Sequence, residues 1–162
     1  MSDRSGPLPP PIAARERSLA ERLLEDETLR GDLDDETWAP VQDWLLRMAA
    51  RAAAGTDGLD ETAAQAVLDR AWSVLKGLVG GLTAALAVGT DSVEFASRVE
   101  SIAPHLQPPV VDAASGAEVR PALQRVARQL VAAGADGPTT AARLVDVLEP
   151  RPRVNVRASH AY

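Results

Sequence analysis

The most regular apolar pattern in the chain runs from Asp60 to Val88. Leu68, Trp72, Leu75, Val79, Leu82 and Leu86 recur there at spacings of 4, 3, 4, 3 and 4. That rhythm puts all six on one stripe of an α-helix. A single helix over 60–88 would be roughly 40 Å long at about 1.5 Å per residue, enough to act as the spine of a small domain. Asp60 can cap it, and Glu61 places a negative charge in the first turn, where the helix dipole favours one. Thr62 and Gln65 offer a second capping pair. Gly77, Gly80 and Gly81 interrupt the stripe, each at a cost of about 1 kcal/mol against alanine. Two readings stay open. Gly77 and Gly81, one turn apart, let a neighbouring backbone approach closely, or the helix bends or breaks at Gly80 and Gly81. A phosphate-cradling loop lacks its context, since no strand precedes the glycines and no Lys-Ser/Thr follows in register. The apolar run 78–88 is too short to span a bilayer, and no stretch of 18 consecutive apolar residues occurs.

The same helical rhythm marks the rest of the chain. Residues 12–30 form a first helix, with Leu19, Ala20, Leu23, Leu24 and Glu27 on one side and charges on the other; Gly31 ends it in a left-handed cap. Residues 38–54 form a second helix with Val41, Trp44, Leu45, Met48 and Ala52 inward. Thr37 is the preferred cap there, because it leaves Pro40 in the first turn, where a missing amide proton is harmless. A fourth helix begins at Asp91, pairs with Glu94 as a capping box, and presents Phe95, Val99, Ile102 and Leu106; Pro104 ends or kinks it. Residues 117–133 carry Val119, Leu123, Val126 and Leu130, with Ser115 and Glu118 as the capping pair. Gly134 or Gly137 closes the turn, and a last short helix over 138–149 turns Ala141, Leu144, Val145 and Leu148 inward until Pro150 stops it.

These elements predict an all-α fold: an antiparallel four-helix body with two further C-terminal helices and a short basic tail. The expected divisions are a proline-rich N-terminal arm (1–11), the helical body (12–106), a linker (107–117), the C-terminal helical pair (118–149) and the basic tail (150–162). The short connection 55–59 makes the second and third helices neighbours.

Charge sharpens the division. The chain of 162 residues has a formal net charge of −6. Residues 1–116 hold 10 basic and 19 acidic side chains, a balance of −9, whereas 117–162 hold 7 and 4, a balance of +3. An acidic body repels nucleic acid and anionic membranes. The absence of cysteine excludes disulfides, thiolate nucleophiles and zinc-thiolate sites and suits a reducing compartment. The N-terminal residues contain no apolar core of a signal peptide, so a cytoplasmic location is expected.

Candidate chemistry is sparse. The cluster Asp32, Asp34, Asp35 and Glu36 fails as a calcium loop: Thr37 stands where glycine is required and Asp43 where glutamate is. Its carboxylates fit a helix start. His105 and His160 stand alone, without metal-binding spacing, and no serine sits in a nucleophile elbow. No catalytic residue, cofactor or metal is therefore expected. What remains is a non-enzymatic interaction, regulatory or assembly domain whose partner is another protein or a second copy of the chain. Candidate contact residues are Trp38, at the mouth of the second helix, for which core packing is the preferred reading over an interface anchor, and the arginines Arg120, Arg125, Arg128, Arg151, Arg153 and Arg157. The acidic Asp32, Asp34 and Asp35 of a second copy could receive those arginines. A helix-turn-helix DNA-binding regulator using 117–157 is the first alternative, weakened by a recognition helix with only Arg143 against Asp146 and Glu149. A small helical enzyme or enzyme subunit is the second.

Overall fold

The computed structural model describes residues 10–149; among these every regular element is helical. The helices are α1 (Pro10–Leu24), α2 (Asp35–Ala54), α3 (Glu61–Val88), α4 (Glu94–Glu100), α5 (Ala113–Ala133) and α6 (Gly137–Leu148), with single 3-10 turns at Glu27–Leu29 and Ala103–His105. The fold is all-α. Residues 150–162, expected to form the basic tail, lie outside the described residues, as do 1–9 of the expected arm.

Four helix starts share one device. Asp34, Asp60, Asp112 and Asp136 adopt extended backbone and accept a hydrogen bond from the amide three residues on, at 2.8, 2.8, 2.7 and 2.8 Å. Each satisfies an amide that the first turn leaves without an intrahelical partner. Several boundaries therefore differ from the sequence reading. α2 begins at Asp35 on the Asp34 cap, so Thr37 is inside the helix and Pro40 lies in its interior. The Asp34 carboxylate, with Asp35 and Glu36 in the first turn, offsets the bond that Pro40 deletes. α5 begins at Ala113 on Asp112, not on Ser115, so residues 113–117 of the expected linker are helical.

The first and fourth helices are shorter than their apolar patterns. α1 stops at Leu24, and Gly31, at φ 60°, belongs to a later turn. Glu25, Asp26 and Glu27 would stack three negative charges at the negative end of the dipole. Instead the Asp26 side chain accepts from the Thr28 amide and caps the following 3-10 turn. α4 starts at Glu94, with Ser92 rather than Asp91 bonding its first amide, and stops at Glu100. Pro104 explains the stop: it has no proton for the Glu100 carbonyl, and its ring would strike that carbonyl in a continued helix.

α3 runs unbroken through its glycines. An 18-residue window within it reaches a mean hydropathy of 1.5, so by length and composition it could cross a membrane; 44% of that window is buried inside the protein. The helices neighbour one another in the order α1, α2, α6, α5, α4, α3 and back to α1, and α3 also packs on α2 and α6. The C-terminal helices thus share one core with the earlier four. Leu75, Leu78, Val79 and Leu82 of α3 meet Trp44 and Leu45 of α2, Phe95 and Val99 of α4, Leu123 and Leu130 of α5, and Leu144 of α6 in a single apolar cluster. Trp72, read as part of that centre, is only half-buried: Arg22 and Lys76 lie over its ring at 4.2 and 4.5 Å. Cations against an indole face gain electrostatic energy and shield it from water.

Candidate functional site

α5 is docked through Leu123, Val126, Ala127 and Leu130. At 100° per residue, Arg125 and Arg128 fall on the opposite side and Arg120 at the margin of the buried stripe; all three are exposed. None forms an ion pair among the described residues, whereas Arg15, Arg22, Arg30, Arg47 and Arg98 each hold a carboxylate. The exposed apolar Val131 falls beside Arg120. Pro121 falls with Arg125 and Arg128, where its missing amide proton leaves the Ala117 carbonyl open to solvent.

A groove of about 340 Å³ opens beside this face. Its apolar wall is Val110, Val111, Val119, Ala122, Val126 and Val147. Its rim carries Asp112, Glu118, Asp146 and Glu149 together with Arg51 and Arg125. Glu149 is fixed by Arg47, whose Nε and Nη2 donate to Oε1 at 2.9 and 2.8 Å.

The other candidates are dispersed. Trp38 is 8% exposed and packed in the core. Arg151, Arg153 and Arg157 lie outside the described residues. Asp34 is committed to its cap, and Asp35 pairs with Arg30. The amide and hydroxyl of Thr37 hold the Asp34 carboxyl below the usual carboxylate range, and Thr139 does the same for Asp136. His105 is exposed and lies against Gly77 of α3. Among the described residues no three His, Asp or Glu side chains gather so as to hold a metal ion.

Sequence reasoning missed two polar features. Arg15 on α1 reaches the turn between α2 and α3: Nη1 donates to the Thr56 carbonyl at 3.2 Å and to Thr56 Oγ1 at 3.0 Å, and Nη2 meets Glu61 at 2.7 Å. The groove was missed because Arg51, the 110–126 segment and 146–149 are far apart in the chain. No family model, curated protein or solved structure matches this chain.

Proposed function

We propose that the protein is a non-catalytic interaction module that binds an acidic surface of another protein through its C-terminal helices. The observation that carries this reading is that Arg120, Arg125 and Arg128 of α5 are exposed and without ion pairs among the described residues, with Arg125 on the rim of an apolar groove. Guanidinium groups left unpaired on a rigid helix can steer an acidic partner and form paired hydrogen bonds at the contact. A second copy is a poorer partner, since the caps and pairs of Asp34 and Asp35 already use much of the acidic turn. DNA binding is disfavoured by α6. Thr140, Ala141, Leu144, Val145 and Leu148 are buried, and the solvent side offers Arg143, hydrogen-bonded to Gln129, beside Asp146. So little positive charge makes weak phosphate contact.

The test is affinity purification from the native cell with the full chain and with the Arg120→Glu, Arg125→Glu, Arg128→Glu variant, half of each sample treated with nuclease. Deleting α5 and α6 would be uninformative, because they complete the core. Protein partners that survive nuclease and vanish with charge reversal support the reading. Partners indifferent to the reversal overturn it. Recovery of nucleic acid alone, with affinity falling steeply as salt rises, moves the assignment to the helix-turn-helix alternative.

A further inference from the structure

We infer that the groove between α5 and the end of α6 binds a small amphipathic carboxylate, its apolar body against the valine wall and its anionic head at Arg51 and Arg125. The charged groups of the rim are not equivalent. Asp112 caps α5 through the Ser115 amide at 2.7 Å, Glu149 is held by Arg47, and Asp146 has an interaction of its own. The guanidinium groups of Arg51 and Arg125 are exposed and have no hydrogen bond or ion pair among the described residues. They arrive from different helices, Arg51 from the end of α2 and Arg125 from the middle of α5, and border the same cavity. Of the rim carboxylates only Glu118 has no such commitment, and it stands two turns from Arg125, about 10 Å along α5. The groups free to meet a ligand are thus two cations against one anion. A negative head group is the one they accept.

The wall defines the rest of the ligand. Val119, Val126 and Val147, with Val110 and Val111 beside them, offer no polar side-chain atom, so the part of the ligand that covers them is hydrocarbon. At about 340 Å³ the cavity has the size of a small-molecule site, for which about 300–1,000 Å³ is usual. Apolar surroundings lower the effective dielectric and strengthen the attraction between guanidinium and carboxylate. The guanidinium fork also matches the two oxygens of a carboxylate in paired hydrogen bonds. This goes beyond the protein contact proposed for α5. Arg51, on α2, takes no part in that contact, so the two readings fail separately.

The test titrates decanoate, a saturated fatty carboxylate, into the full chain below its micelle-forming concentration. Nuclear magnetic resonance of valine methyl groups reads the binding. Decanoate is expected to shift the signals of Val119, Val126 and Val147 saturably and to leave Val93, outside the groove, unmoved. Arg51→Gln and Arg125→Gln each remove one guanidinium from an exposed position. Each should weaken binding roughly three- to tenfold, with the thermal unfolding midpoint unchanged. Decanol has the same chain without the charge and should bind more weakly by a similar factor, and decylammonium more weakly still. Decanol or decylammonium binding as tightly as decanoate overturns the anionic ligand. Decanoate binding that ignores both substitutions overturns the role of the arginines, and an absence of saturable shifts at the three valines overturns the site. The same shifts on raising the concentration of the protein alone would make a second copy the occupant and equally overturn it. Arg51→Gln that weakens decanoate while protein capture is retained supports this site independently of the α5 contact.

Discussion

Ile102 occupies the notch that Gly81 leaves in α3. A Cβ on Gly81 would lie 2.8 Å from Ile102 Cγ1 and 3.4 Å from its Cα. One turn earlier, a Cβ on Gly77 would collide with the His105 imidazole, while one on Gly80 would meet nothing within 4 Å. Three glycines of one helix thus have different roles. Gly81→Ala is expected to destabilise the fold by about 1–3 kcal/mol through overpacking against a fully buried side chain. Gly77→Ala should cost less, because the exposed imidazole can swing away. Gly80→Ala should stabilise by about 1 kcal/mol, the helix-propensity gain. Urea unfolding of the three variants checks the order.

Leu75 and Trp72 lie on the same stripe, yet only Leu75 is fully buried. Leu75→Ala is expected to lower unfolding free energy by about 2–5 kcal/mol, as cavity formation in a close-packed core requires. Trp72→Ala should cost less, since Arg22 and Lys76 can close over the gap. Thermal unfolding of both variants measures the difference; a larger loss at Trp72 would contradict the placement of the core.

Arg15 has a side chain only 11% exposed and ties α1 to the start of α3. Arg15→Lys keeps the charge but cannot match the forked set of contacts to Thr56 and Glu61. The expected loss is about 1–3 kcal/mol, the range for hydrogen bonds to a charged group. Amide hydrogen exchange should show it first as faster exchange in α1.

The capping carboxylates set a pH dependence. Asp34 and Asp136 have folded-state values lowered chiefly by the Thr37 and Thr139 backbone amides. The unfolded chain therefore binds protons first on acidification. Their contribution is complete above the ordinary carboxylate value, about 4, and is lost as pH falls through the lowered folded values. The Asp34→Asn, Asp136→Asn variant keeps a capping oxygen but does not titrate. Its stability should fall less steeply than wild type as pH drops below about 4, measured by urea unfolding.

The apolar period made the helices legible: α3, and the inward faces of α2, α5 and α6, follow directly from spacing. The caps were less legible. Asp60 was read correctly, but Asp112 was passed over and Asp34 ranked below Thr37. Thr37 was preferred to keep Pro40 in the first turn, and Ser115 because Glu118 follows it three residues on. An aspartate accepting from the amide three residues on needs no reciprocal side chain. Close packing at Gly77 and Gly81 was open in the sequence, because choosing it over a break requires knowing what faces them. That the α5 arginines lie off its buried stripe could be read from helical period alone. The groove could not, since its walls meet only after α5 and α6 have folded against α2.

The joining of α6 to α2 also has a consequence for biosynthesis. Arg47 and Glu149 are 102 positions apart, and Gly137 sits against Thr37 at the other end of the same contact. The side of α2 that packs on α6 emerges from the ribosome long before α6 does. At about 5–20 residues per second, that surface stays uncovered for about 5–20 s of translation. The nascent chain therefore passes through a stage with the α6-facing side of α2 open to water, the stage at which a chaperone would engage it.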